Sequence, residues 1–468
     1  MANLNTSDTI CALATPPGSS AIAVLRVSGE GTFKIANKVF TAKKKGFNIQ
    51  KVDTHTLHYG TIQAKGAIID DVLLSVFKNP QSYTGEDSIE ISCHGSAFIV
   101  QQVLALLLDS GCRMAQPGEF TLRAFLNRKL DLSQAEGVGD LIAANSKASH
   151  KLALDQMRGG FSKKIGSLRD QLMQFASLIE LELDFSEEDV EFADRTALKK
   201  LLVEIKTEVR QLADSFSAGN VLKSGIPVAI IGKPNVGKST LLNAILNEEK
   251  AIVSDIPGTT RDAIEDTIVI NGLAFRFIDT AGLRDAGDRI ESIGIERTYE
   301  KIRQARVILY LFDINDTDCM EVKEILESFK RQLGEESMDE KHFILVANKI
   351  DQLVGTPRHF KNMVEFECIF VSAKRKENIS MISDSLLKAV AIDPEEEGVI
   401  VSNARHHEAL TGVLEAIQSM DEGFAADIPS DLIAIDIRKA LYHLGEITGE
   451  ITNDDLLGNI FSRFCVGK

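Results

Sequence analysis

The chain has 468 residues, 44% of them hydrophobic and 26% charged, with a formal net charge of -16. At roughly 100–200 residues per domain, this length predicts about three domains, each burying its own core. The acidic balance excludes a protein that coats DNA or anionic membrane through a general positive field, so any nucleic acid has to meet a local basic patch.

The cysteines, Cys11, Cys93, Cys112, Cys319, Cys368 and Cys465, show neither Cys-x-x-Cys pairing nor zinc-ligand spacing. With no secretory leader in the pattern, a reducing cytoplasm is expected. The longest apolar run, Val103 to Leu108, falls far short of the roughly 20 residues of a membrane span.

From Thr9 to about Phe120, short β-type runs at Ala21 to Val27 and Val72 to Phe77 alternate with helical patches near 32–40 and 96–109. An α+β domain over 1–120 is expected. Leu168, Leu172, Phe175, Ile179 and Leu183 then recur at helical spacing, and 121–217 reads as long helices. Ser217 to Asn220 marks a boundary, followed by Ile226 to Ile231, an apolar run of the kind found in buried parallel strands. Further apolar runs near 306–313, 343–347 and 369–371 alternate with helical stretches, predicting a doubly wound α/β domain over 218–390. Asp393 to Gly398 is a polar linker. Helix returns over 391–468, broken near Pro429 and across Gly445 to Gly449. Two helical stretches flanking an α/β unit predict a helical domain with the α/β domain inserted in it. The acidic run Glu187 to Glu191 lacks calcium-loop spacing and reads as a solvated face.

Gly232-Lys233-Pro234-Asn235-Val236-Gly237-Lys238-Ser239 fits G-x-x-x-x-G-K-[ST] between the predicted strand and the helical pattern that starts at Thr240. Its glycines let backbone amides turn toward phosphates at a helix N-terminus; Lys238 is expected to reach the β- and γ-phosphates and Ser239 to bind Mg²⁺. Asp279-Thr280-Ala281-Gly282 closes the run Leu273 to Ile278, which the hairpin signal Asn271-Gly272 joins to the preceding strand. The acid there can hold the magnesium shell, and the Gly282 amide can sense the γ-phosphate. Asn348-Lys349-Ile350-Asp351 resembles the N-K-x-D element of GTPases. A carboxylate at Asp351 can accept from guanine N1–H and the 2-amino group, which adenine does not offer, so GTP is preferred over ATP. Ser372-Ala373-Lys374 resembles the element whose amide backs the base. Where many GTPases place a water-orienting glutamine, this chain has Leu283. Arg284, Asp285, Asp288 and Glu291 follow closely, and Thr259-Thr260-Arg261-Asp262 lies on the candidate first switch.

Outside that core, Asp8-Thr9-Ile10, Ala14 to Gly18, Leu25 to Gly29, Tyr83 to Asp87 with His94-Gly95, Pro117 to Thr121, Arg123 to Asn127, Asp454 to Gly458 and Phe464 to Lys468 resemble the MnmE (TrmE) family of tRNA-modification GTPases. The resemblance spans essentially the whole chain. It implies an N-terminal dimerising domain that binds a 5-formyl-tetrahydrofolate or related folate, a helical domain and an inserted P-loop GTPase domain. It also implies a cytoplasmic homodimer that works with the flavoprotein MnmG (GidA) on C5 of the tRNA wobble uridine.

Carried over by motif, Arg26, Glu90, Lys129 and Lys468 contact the folate, and Cys465 lies near the modification chemistry. Basic side chains suit the folate's glutamate carboxylates, and Glu90 can accept from pterin donors. No base that would activate the Cys465 thiol is evident, and the last four residues fit a prenylation box poorly. The resemblance further implies a potassium ion held by Asn235, Ser254, Ile256 and Thr259, with Thr260 joining Ser239 on magnesium and Glu291 orienting the water. Asp255, Pro257 and Gly258 complete the first-switch contact, as Val236, Thr240, Ala281 and Ile350 complete the others. The rival reading is a GTP-timed ribosome-assembly or RNA-binding switch without modification chemistry. A third is a nucleotide-binding scaffold that does not hydrolyse GTP.

Overall fold

The computed structural model describes residues 8–184, 195–248, 266–278, 299–317, 319–334, 341–353, 367–390, 398–426 and 428–468. Two compact units divide the chain. Met1–Gly139, Asp155–Val209 and Ala409–Lys468 form one; Asp140–Leu154 and Arg210–Glu408 form the other. The architecture is multidomain: an α+β N-terminal domain, an α-helical domain, and an α/β P-loop domain inserted between helical segments.

The first unit begins with β1 (Ile10–Leu13), β2 (Ser20–Ser28), α1 (Thr32–Val39), β3 (Phe40–Ala42), β4 (Thr56–Ala64), β5 (Ala67–Phe77), β6 (Ser88–Gly95), α2 (Ala97–Asp109) and β7 (Arg113–Met114). The sheet order is β3-β4-β5-β6-β2-β1-β7, antiparallel except where β7 runs parallel to β1. Alternation decides which face is covered: Leu25, Val27, Val72, Leu74, Val76, Ile89 and Ile91 are buried together with Phe33, Val103 and Leu107 of α1 and α2. Arg26 and Glu90 fall on the opposite face and pair directly across β2 and β6.

Helix α3 (Glu119–Leu126) begins at Gly118, whose φ of 70° and backbone contact with Phe461 leave no room for a Cβ: one would lie 2.4 Å from the Phe461 carbonyl. After it come α4 (Leu132–Ala143), α5 (Lys147–Met157), α6 (Gly160–Asp184) and α7 (Arg195–Asp214). Leu168, Leu172, Phe175 and Ile179 are buried at the expected helical spacing, while the Leu183 side chain lies outside the described residues.

Helix α8 (Phe216–Ser224) contains Ser217 to Asn220, and residues 393–397 of the expected linker lie outside the described residues. The second unit's strands are β8 (Ile226–Ile231), β9 (Asp266–Ile270), β10 (Leu273–Phe277), β11 (Val307–Asp313), β12 (His342–Asn348) and β13 (Glu367–Phe370). Its helices α9 (Lys238–Glu248), α10 (Cys319–Leu333) and α11 (Ser380–Val390) are interspersed among them. Among the described residues the order is β13-β12-β11-β8-β10-β9, with β9 antiparallel to β10 and the other pairs parallel. Val228, Ile230, Leu309, Leu311 and Val346 pack on the face of α9 and α11, while Ala229, Ile231, Ile308, Phe312 and Leu345 pack on the face of α10. Burial on both faces explains why these strands read as unbroken apolar runs. Asn271 (φ 48°) and Gly272 (φ 83°) make the β9–β10 turn.

The first unit resumes at Ala409, within α12 (Ala404–Ala425), and continues with α13 (Ser430–Thr448) and α14 (Asp454–Phe461); α13 packs along α6. The break expected across Gly445 to Gly449 comes only at its far end. α13 runs through Gly445 because Leu444 and Ile447 are buried, and Gly449 (φ 83°) closes it. Among the described residues no helix is long and apolar enough to cross a membrane.

A buried ionic network fixes the start of α3. Glu119 accepts from Arg113 Nη2 (2.6 Å), Arg123 Nη2 (3.0 Å) and the Gln116 amide (2.8 Å); Arg123 Nη2 also reaches Asp8 Oδ1 at 2.6 Å. Burial raises the Glu119 pKa, but Arg113, the Gln116 amide and Arg123 outweigh it and hold the carboxyl below its ordinary value. A depressed folded-state pKa adds stability above the unfolded value of about 4.3, and that stability is lost as pH falls through the folded value. Glu119→Gln is therefore expected to cost about 3 kcal/mol at pH 7, in the range for breaking a buried pair. Urea unfolding of both proteins should show the gap closing below about pH 4; a gap independent of pH assigns the loss to shape rather than charge.

Candidate functional site

The carboxyl ends of β8, β11, β12 and β13 lie along one edge of the α/β sheet, where ligands of doubly wound folds bind. From β8 the chain enters the loop Gly232 to Gly237. Gly232 has φ 150°, and a Cβ there would meet the Leu311 carbonyl at 2.1 Å. Gly237 has φ 98°, with its Cβ position 2.5 Å from Asn348 Nδ2. Between them Asn235 is exposed in the left-handed region (φ 63°) and Val236 is buried. Helix α9 starts at Lys238, so the half-buried Lys238 and Ser239 and the exposed Thr240 form its first turn.

Lys238 Nζ turns back and donates to the carbonyls of Gly232 and Lys233, 2.8 Å each. Burial, and then the Lys301 ammonium, hold its pKa below the ordinary lysine value. Two cations near amides at a helix start favour an anionic ligand, whose charge would relieve that repulsion.

The base-type motifs are tied to this loop. Asn348, at the end of β12, donates through Nδ2 to the Val236 carbonyl (2.8 Å) and accepts at Oδ1 from the Ala373 amide (3.0 Å). Lys349 takes a left-handed backbone (φ 67°) and sends Nζ to Asp313 Oδ2 at 2.7 Å. After Ile350, Asp351 accepts at Oδ1 from the Ser372 hydroxyl (2.7 Å). That bond comes first among the causes that hold the Asp351 carboxyl below its usual range, with Arg375 and Lys374 adding to it, so it is ionised at neutral pH. Asp313 is marked by no motif. It is buried at the end of β11, where Lys349 and Asn315 hold its pKa low against burial. An acid closing an apolar parallel strand is the signal that points to it.

This edge brings together Asn235, Val236, Gly237, Lys238, Ser239, Thr240, Asn348, Lys349, Ile350, Asp351, Ser372, Ala373 and Lys374. Ser254, Asp255, Ile256, Pro257, Gly258, Thr259, Thr260, Asp279, Thr280, Ala281, Gly282 and Glu291 lie outside the described residues.

A second polar cluster sits in the first unit. Arg26 sends Nε (2.9 Å) and Nη2 (2.8 Å) to Glu90 Oε1 and Nη1 to the Gly467 carbonyl (3.2 Å). Its guanidinium lies 5.5 Å from the Tyr83 ring centroid, and Lys468 Nζ lies 5.9 Å from the same ring. Burial and Arg26 lower the Lys468 pKa, against Glu90 and Cys465, which raise it. Two cations, one carboxylate and an aromatic face suit a ligand that carries both carboxylates and ring donors, as a folate does. Lys129 makes a different contact: its Nζ donates to the Pro80 carbonyl at 3.0 Å and its stem covers Gly85. Cys465 is exposed, and its carbonyl accepts from the Gly118 and Lys468 amides.

Together the doubly wound sheet and its glycine-bounded loop define a phosphate-loop α/β protein. Residues 9–129 match the family model described as the GTP-binding protein TrmE N-terminus, and residues 132–465 match the MnmE helical domain. A "tRNA modification GTPase MnmE" from Flavobacterium psychrophilum is 53% identical, covering 98% of this chain and 99% of its own. Proteins of the same name from Cytophaga hutchinsonii and Bacteroides fragilis are 52% and 51% identical, covering 99% and 98% of this chain and 98% and 99% of theirs. The chain belongs to the MnmE (TrmE) family.

Asn348→Ala removes both ties between the phosphate loop and the Ser372 segment and leaves buried groups unpaired. At about 1–3 kcal/mol for a buried group left unsatisfied, a fall of about tenfold or more in GDP affinity is expected by isothermal titration, with a lower thermal midpoint. Unchanged affinity would show that the loop holds its shape without Asn348.

Proposed function

We propose that the chain is a potassium-stimulated GTP hydrolase that, with the flavoprotein MnmG (GidA), adds an aminomethyl-type group such as carboxymethylaminomethyl to C5 of the wobble uridine of certain tRNAs. One observation carries the nucleotide assignment: an ionised Asp351 stands beside the Ala373 amide on the sheet edge that also carries the Lys238 loop. Its carboxylate accepts from guanine N1–H and the 2-amino group, while Lys349 and Ala373 flank the base. The tRNA assignment rests on family membership and on the names of the relatives.

The amides of Asn235, Val236, Gly237, Lys238, Ser239 and Thr240 receive the phosphates, and Lys238 moves from the Gly232 and Lys233 carbonyls to their oxygens. Ser239 and Thr260 would hold magnesium; Asn235, Ser254, Ile256 and Thr259 would hold potassium. Hydroxyl, amide and carbonyl oxygens are the hard donors both ions take, and Ser239 and Asn235 supply them on this loop. When bound, the two cations supply positive charge against that developing on the β/γ bridge. Asp255, Pro257 and Gly258 belong to the same first switch. Asp279, Thr280, Ala281 and Gly282 sense the γ-phosphate, and Glu291 orients the attacking water in place of a glutamine.

Arg26, Glu90 and Lys468 bind 5-formyl-tetrahydrofolate or a related folate, with Lys129 joining from the Pro80 loop and Cys465 near the modification chemistry. The domains assigned are 1–120 for folate and dimerisation, 121–217 and 391–468 for the helical domain, and 218–390 for the G domain. Exposed Ile22 and Leu73 on the open face of the N-terminal sheet support a homodimer, and the cysteine pattern supports a cytoplasmic location.

Asp351→Asn is expected to shift preference from GTP toward xanthosine triphosphate, measured by competition for labelled nucleotide; full retention of GTP selectivity removes Asp351 from base recognition. Replacing potassium by sodium at equal ionic strength is expected to depress steady-state phosphate release severalfold, in the direction of losing one fixed transition-state charge. Equal rates in the two salts would overturn the potassium assignment.

A further inference from the structure

In a chain of net charge -16, residues 38–65 carry six lysines, Lys38, Lys43, Lys44, Lys45, Lys51 and Lys65, against a single acid, Asp53. β3 is an edge strand of the N-terminal sheet, and Lys43, Lys44 and Lys45 follow it directly. The Lys43 amide still bonds the Tyr59 carbonyl (3.1 Å), so the first of the three is held in register with β4. Its ammonium lies 5.8 Å from the Tyr59 ring centroid and 3.5 Å from Asp71, with both partners of that pair about half exposed.

Lys44, Lys45 and Lys51 are exposed and have no acidic partner among the described residues. The loop that carries them is anchored. Ile49 is fully buried, the Phe47 ring packs 4.7 Å from His58, and Lys78 Nζ donates to the Gln50 carbonyl at 3.0 Å. The Lys44 charge is felt inside the sheet edge, where it adds to burial in lowering the His58 pKa. One edge lysine is enough to discourage strand pairing; a run of three with Lys51 beside it builds a local positive field.

We infer that this edge, Lys43, Lys44, Lys45 and Lys51, binds the phosphate backbone of the tRNA, which rests on the proposed tRNA reading. The four charges stand together on one anchored edge of a chain whose net charge is negative, so a polyanion is steered toward them. A membrane surface fits less well, because a membrane-binding segment offers apolar side chains beside its lysines, whereas Phe47 and Ile49 turn into the core. Backbone contact positions the RNA without reading its sequence, leaving base choice to the modification site.

The test uses the full-length chain, a fluorescent unmodified tRNA transcript, and the triple variant Lys43→Gln/Lys44→Gln/Lys45→Gln, titrated by anisotropy over a range of salt. The variant is expected to bind about tenfold or more weaker near 0.1 M salt, with the slope of log K against log salt reduced by about 2 to 3. The Lys→Arg triple should retain both, and all three proteins should hydrolyse GTP at the same rate, showing that the fold is intact. Wild type and Gln variant with equal affinity and slope overturn the inference while leaving the tRNA reading in place. Wild type that binds no tRNA overturns both. Loss of binding only to vesicles containing anionic phosphatidylserine, with tRNA binding untouched, would make the edge a membrane contact and sink the RNA assignment.

Discussion

Two hydrogen bonds from the buried side chain of Asn348 hold the nucleotide edge in one shape: Nδ2 to the Val236 carbonyl and Oδ1 from the Ala373 amide. A phosphate loop has to turn its amides toward the ligand, which leaves carbonyls facing the protein and in need of donors. Asn348 supplies one of them, and Lys238 covers two more. The close approach depends on Gly237, since a Cβ there would sit 2.5 Å from Asn348 Nδ2. Loop, β12 end and Ser372 segment are therefore mechanically one object.

The first unit solves a different problem. Asp8, Glu86, Arg113, Glu119 and Arg123 are joined by hydrogen bonds where β1, β7 and α3 meet, and Arg123 and Glu119 are almost wholly removed from solvent. Such a network contributes little net stability compared with apolar packing, but it tolerates few alternative arrangements because any unpaired member is expensive. It fixes the position of α3, beside which the chain's last residues dock: Gly118 donates to the Cys465 carbonyl, and Arg26 to that of Gly467. The Arg26, Glu90 and Lys468 cluster is the converse case. Its cations outnumber its carboxylate, and Lys468 is held half-buried beside Arg26 at a cost to its own charge. An anionic ligand would relieve that imbalance.

Much of this was legible in the residues alone. The order of Gly232 to Ser239, Asn348 to Asp351 and Ser372 to Lys374 on alternating strands is local chemistry, because each motif works through backbone and side chains a few residues apart. The unbroken apolar runs of β8, β11 and β12 announced strands covered on both faces, and the spacing from Leu168 to Ile179 announced a helix with one buried stripe. One reading went differently. Gly445 sits inside α13 rather than in a break, because Leu444 and Ile447 bury against neighbouring helices and outweigh a glycine's low helix propensity. Where the Lys129 ammonium turns, to the Pro80 carbonyl, is a matter of where a flexible stem finds an acceptor, which no spacing along the chain announces.

By itself, the amino-acid sequence determined the classes of element and the glycine-bounded loop with its lysine at a helix start, since those depend on residue type and short spacing. Only the tertiary structure decided that Asp313 captures Lys349, that Asn348 braces the loop, that Arg26 meets Gly467, and that Lys43 to Lys45 stand together on an anchored sheet edge. These contacts join residues from 36 to 441 positions apart or depend on strand order. Strand order is set by how many buried side chains fit together at once, which no local pattern encodes.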